Sequence, residues 1–143
     1  NETIAVAETT TGGLISAALL SVSGASRYYA GGGVLYTLNS RIALAGVSPD
    51  EYNDYRGTTV DLILSLARSM RKKLGATWCI AESGLAGPGA GRFGGQPGNT
   101  VIGIDGPAQR SEAFNSGLTD REENMVAFAT RTLEFTLGAI QKP

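Results

Sequence analysis

Near the start of the chain three hydroxyls crowd one corner. Ala7-Glu8-Thr9-Thr10-Thr11-Gly12-Gly13 follows the apolar stretch Thr3 to Val6 and leads directly into Leu14 to Leu20. The pattern reads as a strand, a tight turn and a helix start. A helix N-terminus reached through glycines presents unpaired backbone N–H groups beside the positive end of the helix dipole, which suits a phosphate, a carboxylate or an oxyanion. A plain structural use of the same residues is as common: one threonine caps the helix while Gly12 and Gly13 permit the turn. Chemistry at this corner therefore needs partners from elsewhere in the chain.

Composition narrows what those partners can be. The chain has no histidine, which removes Ser-His-Asp and Cys-His mechanisms and histidine-rich zinc sites together. No metal or cofactor is expected. The single cysteine, Cys79, lies in the apolar run Trp78-Cys79-Ile80-Ala81 and reads as a small buried hydrophobe. It has no partner for a disulfide within the chain, as in proteins of a reducing compartment. With 12 Lys+Arg against 13 Asp+Glu the net charge is -1, so no overall field favours nucleic acid or an anionic membrane as partner. No apolar stretch approaches the roughly 20 residues that span a bilayer, and Asn1-Glu2-Thr3 resembles no signal peptide. A cytoplasmic location is expected. At 143 residues and 14.8 kDa the chain is expected to form one domain over residues 1–143. Its first strand begins almost at once, as in a segment trimmed from a longer chain.

The remaining elements must position the corner. Leu14, Ala17, Ala18 and Val22 recur at helical spacing, with Gly24 as a left-handed cap. Between Tyr28 and Tyr36, strand is expected on the Val34 side, with a bulge or a close backbone approach at Gly31-Gly32-Gly33. Leu38 to Ala45 reads as a short helix closed by Gly46, and Ser48-Pro49-Asp50-Glu51 as a capping box opening a brief helix. Thr58-Thr59-Val60-Asp61 opens a long helix, whose face is Val60, Ile63, Leu64, Ala67, Met70 and Leu74, with Arg68, Arg71, Lys72 and Lys73 as its solvated end. Gly75 stops it. Thr77 to Ala81 then reads as a strand covered on both faces.

From Ser83 to Gly98, glycine and proline fill at least half the positions, so no regular element fits. A loop this long, following a buried strand, sits where open α/β sheets hold their ligands. Asn99 to Ile104 and Ser111 to Asn115 read as an antiparallel strand pair around Gly106-Pro107. Thr119-Asp120-Arg121-Glu122 reads as a capping box for a last helix with the stripe Met125, Phe128, Ala129, Leu133 and Ile140. Arg121 is a cation at the helix end that disfavours cations, which points to an anionic partner. Arg92 on the glycine loop is placed to close over a phosphate. The order β-α-β-α-α-β-loop-β-β-α predicts a three-layer α/β/α sandwich with a mixed, mostly parallel sheet.

Taken together, Ala7 to Leu14, Gly33-Val34-Leu35-Tyr36-Thr37 with Gly46-Val47, Gly84-Leu85-Ala86-Gly87-Pro88, Pro97-Gly98-Asn99-Thr100-Val101 and Asp120-Arg121 resemble the C-terminal domain of CinA, the family of nicotinamide mononucleotide deamidases. The resemblance covers nearly the whole chain, apart from the family's usual first helix. It implies a metal-independent amidohydrolase, often a dimer, that converts the carboxamide of nicotinamide mononucleotide to nicotinic acid mononucleotide and ammonia. It also implies roles. The catalytic serine of the family falls on Thr9, its tyrosine on Tyr36, and the lysine five residues further on falls on Arg41. Ligand contacts are expected at Glu8, Thr10, Thr11, Gly12 and Gly13, at Ser83, Gly84, Ala86 and Gly87, and at Arg121.

Only Tyr36 keeps the family's residue among the catalytic three, and a charge, Glu82, enters ahead of Ser83-Gly84-Leu85-Ala86-Gly87-Pro88 where the family has none. A serine or threonine hydroxyl needs a neighbouring base, and arginine cannot take its proton. Two readings follow. In one, Thr9 attacks the carboxamide, Tyr36 relays the proton with help from Arg41, and turn amides near Thr11 and Gly12 hold the oxyanion. In the other, the chain is an impaired relative that binds a mononucleotide without turnover.

Overall fold

Three short parallel strands set the geometry of the site. In the computed structural model, which describes residues 1–142, β1 (Ile4–Glu8) pairs in parallel with β2 (Tyr29–Val34) on one side and β3 (Trp78–Gly84) on the other. The sheet continues through β4 (Asn99–Asp105) and β5 (Arg110–Asn115), both antiparallel to their neighbours, in the order β2-β1-β3-β4-β5. The carboxyl ends of β1, β2 and β3 therefore meet along one edge. That edge is where open α/β sheets carry their sites.

Four helices cover the two faces: α1 (Leu14–Leu20), α2 (Leu38–Ala45), α3 (Val60–Leu74) and α4 (Arg121–Gln141). Successive strand residues point to opposite faces. Ala5, Ala7, Cys79 and Ala81 pack beneath Ile63, Leu66, Ala67 and Met70 of α3 and Ala45 of α2. Ile4, Val6, Trp78, Ile80 and Ile104 pack beneath Ile15 of α1 and Ala129 and Ala139 of α4. Each large side chain so buried contributes about 1.5–3 kcal/mol. The result is an α/β/α sandwich around a mixed sheet, three of whose five strands run parallel.

Several local expectations are corrected. All three glycines from Gly31 to Gly33 lie inside β2, which ends at Val34 rather than continuing to Tyr36. The register shifts between Ile4 and Ala5, whose partners are Tyr29 and Gly31, and a Cβ on Gly32 would stand 2.3 Å from the Val6 carbonyl oxygen. Glycine is needed there for close backbone approach. The Ser48 capping box does not form: Pro49–Tyr52 is a single 3-10 turn, and Glu51 instead accepts a hydrogen bond from the Ser65 hydroxyl. Leu66 is buried in α3 where Val60 and Leu74 are substantially exposed. Arg71 is not simply solvated, because its Nε lies 2.6 Å from an Asp105 carboxyl oxygen. The α4 cap is Asp120, not Thr119, and accepts from the Glu123 amide.

Candidate functional site

The first corner is held by two buried glutamates. A strand residue pointing to the α1 face at the end of β1 lies under the start of that helix, and Glu8 is there. Its Oε1 accepts from the amides of Gly13 and Ile15 at 3.0 and 2.9 Å, and its Oε2 accepts from the Ser16 amide at 2.9 Å. These are the orphan donors of a helix N-terminus. Glu8, not a threonine, caps α1, while Gly13 takes a φ of 104° that a side chain rarely tolerates. Glu8 thus holds the turn through backbone N–H groups.

Glu82 reaches the same corner from β3. Its Oε1 accepts from the Thr9 and Thr11 amides, each at 2.9 Å, and from the Thr11 hydroxyl at 2.8 Å. That hydroxyl also stands 2.7 Å from Glu8 Oε1, so two buried carboxyl groups share one O–H. Burial pushes the Glu82 carboxyl above its ordinary range, and the Glu8 charge adds to this, against the hydrogen bonds from Thr11 and Thr9 that pull it down. The oxyanion role expected of the Thr11 amide is corrected, because that N–H is already bound to Glu82.

Thr9 and Thr10 lock the corner to β3. The Thr9 hydroxyl, in a residue only 3% exposed, donates to the Glu82 backbone carbonyl at 3.0 Å. Thr10 Oγ1 takes both the amide and the carbonyl of Gly84, at 2.8 and 3.0 Å, extending the parallel ladder with a side chain. Gly12, with a φ of 62°, completes the turn.

Across β3, Ser83 faces the α2 and α3 side. Its Oγ accepts from Arg41 Nη2 at 3.3 Å and from the Thr58 hydroxyl at 2.9 Å, and Thr58 in turn meets the Tyr55 phenol at 3.2 Å. Arg41 is 4% exposed and also donates through Nε to the Leu35 carbonyl at 3.2 Å. The next residue, Tyr36, is 61% exposed. Its phenol oxygen accepts from Arg121 Nη2 at 3.2 Å, and Arg121 Nη1 donates to the Gly87 carbonyl at 2.8 Å. The hydrogen-bond partner of the phenol is therefore Arg121.

Two groups of predicted residues emerge. Arg41 and Ser83 are bonded to each other and Thr9 to the neighbouring Glu82 carbonyl of β3, while Tyr36, Gly87 and Arg121 form a second bonded group. They are joined through the backbone of Leu35 and Tyr36. Ala86 is fixed between them by Asn124 of α4, whose Nδ2 donates to the Ala86 and Leu118 carbonyls at 2.8 and 3.1 Å. The glycine loop closes on itself through Gly91 and Gly95, and the Arg92 guanidinium lies 5.9 Å from the Phe93 ring centre. Sequence reasoning missed Asn124, Thr58 and Tyr55. Asn124 carried a signal: it lies four residues before Phe128 on the buried stripe of α4, where a polar residue must have a partner.

Hydroxyls and guanidinium groups of this α/β/α sandwich thus stand near the carboxyl ends of its parallel strands, beside a glycine loop. The family model of the CinA C-terminal domain matches residues 1–140, and the chain belongs to that family. A CinA-like protein of Prochlorococcus marinus (strain AS9601) is 38% identical over 145 residues, covering 99% of this chain and 33% of the relative. A CinA-like protein of Desulfosudis oleivorans is 36% identical over 134 residues, covering 92% and 32%. The chain thus spans about a third of the length of these relatives. Among solved structures, the competence damage-inducible protein A of Klebsiella pneumoniae aligns with a TM-score of 0.91 at 19% identity, covering 99% of this chain and 88% of that one. The competence/damage inducible protein of Agrobacterium tumefaciens aligns with a TM-score of 0.87 at 24% identity, covering 96% and 84%. These structures share the fold. No helix among the described residues is long and apolar enough to cross a membrane.

Proposed function

We propose that this chain binds a pyridine mononucleotide at the carboxyl ends of β1, β2 and β3, and that it hydrolyses the carboxamide slowly beside a serine–lysine form of the same corner. Membership in the CinA family supports the ligand class, and the observation that carries the reading is Arg41. Amide hydrolysis through a hydroxyl requires the Thr9 proton to leave as its oxygen attacks the carboxamide carbon. The C–N bond then breaks, ammonia departs with a proton, and water releases the acid. A guanidinium cannot accept the first proton at any working pH. The Thr9 hydroxyl is directed at a backbone carbonyl, which accepts a hydrogen bond without removing the proton. Binding needs none of this: Arg121 and Arg41 supply cations for the nucleotide's phosphate or its pyridine substituent, and Ser83 and Tyr36 supply hydroxyls.

One observation favours some residual turnover. Arg121 donates to the Tyr36 oxygen and so favours the phenol as a relay: its O–H gives its proton to the departing nitrogen, which leaves as ammonia, and its oxygen takes the proton that Thr9 gives up. Calorimetric titration with nicotinamide mononucleotide tests the binding reading. Saturable one-to-one binding, weakened about tenfold or more by Arg121→Ala, is the expected result. Absence of binding to the native chain contradicts it.

A further inference from the structure

We infer that Arg41 makes this site select a planar carboxylate over a carboxamide, so that the chain holds the acid form of its pyridine nucleotide more tightly than the amide. The inference rests on the ligand class proposed above and deepens it. The guanidinium is almost fully buried, yet the oxygens it bonds are neutral: the Leu35 carbonyl at 3.2 Å and the Ser83 hydroxyl at 3.3 Å. Among the described residues no carboxylate lies within 4.0 Å of it. Of the acids near it in the chain, Asp50 is exposed and Glu51 accepts from Ser65, while on β3 Glu82 serves the Thr9 and Thr11 amides on the other face.

A buried cation without an opposite charge is costly, and an anion that completes it recovers that cost. A guanidinium has five N–H donors in a rigid fork matched to the two oxygens of a carboxylate. The bonds to Leu35 and Ser83 use two of them. A carboxamide offers one oxygen and an NH₂ group that meets the fork donor to donor, so the amide satisfies it poorly. Tyr52, Tyr55 and Phe93 form an edge-to-face row with centroid spacings of 5.9 Å, and Tyr55 connects through Thr58 to the same Ser83 hydroxyl. In a chain that turns its substrate over, this preference appears as inhibition by product.

The test is calorimetric titration of the native chain, Arg41→Lys and Arg41→Met with nicotinic acid mononucleotide and nicotinamide mononucleotide. The phosphate and ribose are common to both, so the ratio of affinities isolates the pyridine substituent. The native chain is expected to bind the acid about tenfold more tightly or better, with the ratio falling to near one in Arg41→Met. Arg41→Lys keeps the charge but loses the fork, and is expected to fall between them while retaining the native circular dichroism. Equal affinities in the native chain, or an unchanged ratio in both folded variants, overturn the inference alone. Binding of neither nucleotide overturns the ligand class as well.

Discussion

Thr9 is bonded twice to Glu82: its amide donates to the side-chain Oε1 at 2.9 Å and its hydroxyl to the backbone carbonyl at 3.0 Å. Thr9, the nucleophile in the proposed hydrolysis, is thereby fixed by the glutamate at position 82. Truncation by Glu82→Ala strips the buried Thr9 and Thr11 amides of their acceptor. At about 1–3 kcal/mol for each of the two orphaned amides, a loss of about 2–6 kcal/mol is expected in urea unfolding. Glu82→Gln keeps an acceptor oxygen and is expected to stay within about 1 kcal/mol of native near neutral pH. Equal effects of the two changes contradict this role.

The same carboxyl group gives stability a pH dependence. Its folded-state pKa is raised, first by burial, so the native state keeps this proton over a range in which the unfolded state has lost it. Stability from this group is therefore fully present below the ordinary glutamate range and declines as pH rises from that range through the raised value. Urea midpoints across that range are expected to fall with pH in the native chain and to lose this slope in Glu82→Gln. An identical slope in both contradicts the assignment.

Asp105 contributes with the opposite sign. Burial pushes its carboxyl up, but the Arg71 and Gln109 hydrogen bonds and the charges of Arg71 and Arg68 outweigh this and leave its pKa lowered. Its contribution is present above the ordinary aspartate range and is lost as pH falls through the lowered value. Asp105→Asn is expected to cost up to about 1 kcal/mol near neutral pH, since Arg71 is partly exposed, and less in acid. A cost that grows on acidification contradicts it.

Asn124 ties the glycine loop to α4. In Asn124→Leu the Ala86 and Leu118 carbonyls lose a donor, for an expected cost of about 2 kcal/mol. Amide hydrogen exchange is expected to quicken over residues 85–98 while β1 and β3 stay protected. Uniform acceleration across the sheet contradicts the local role.

Much of this architecture was legible in the chain. The bounds of α2 and the Gly75 stop of α3 follow from glycine chemistry and stand as predicted; burial holds over the expected apolar run, but β3 continues through Glu82 and Ser83 to Gly84, into the stretch read as loop. Caps were less legible, because a helix's orphan amides accept any oxygen that reaches them. At α1 that oxygen comes from Glu8, inside the preceding strand. The triple glycine hid β2, since its strand character comes from pairing with β1 rather than from side chains. At the site, the residues singled out in sequence do gather at the strand ends. Their pairing was not legible: no local pattern says that Tyr36 meets Arg121, or that Ser83 joins Arg41 to Thr58.

Ammonia release from nicotinamide mononucleotide tests the central claim most directly, in the native chain, in Thr9→Ala and in the double variant Thr9→Ser with Arg41→Lys. Restoring a hydroxyl–amine pair supplies the missing base, so the double variant is expected to exceed the native rate on the order of a hundredfold, with Thr9→Ala at background. A native rate equal to or above that of the double variant contradicts the account.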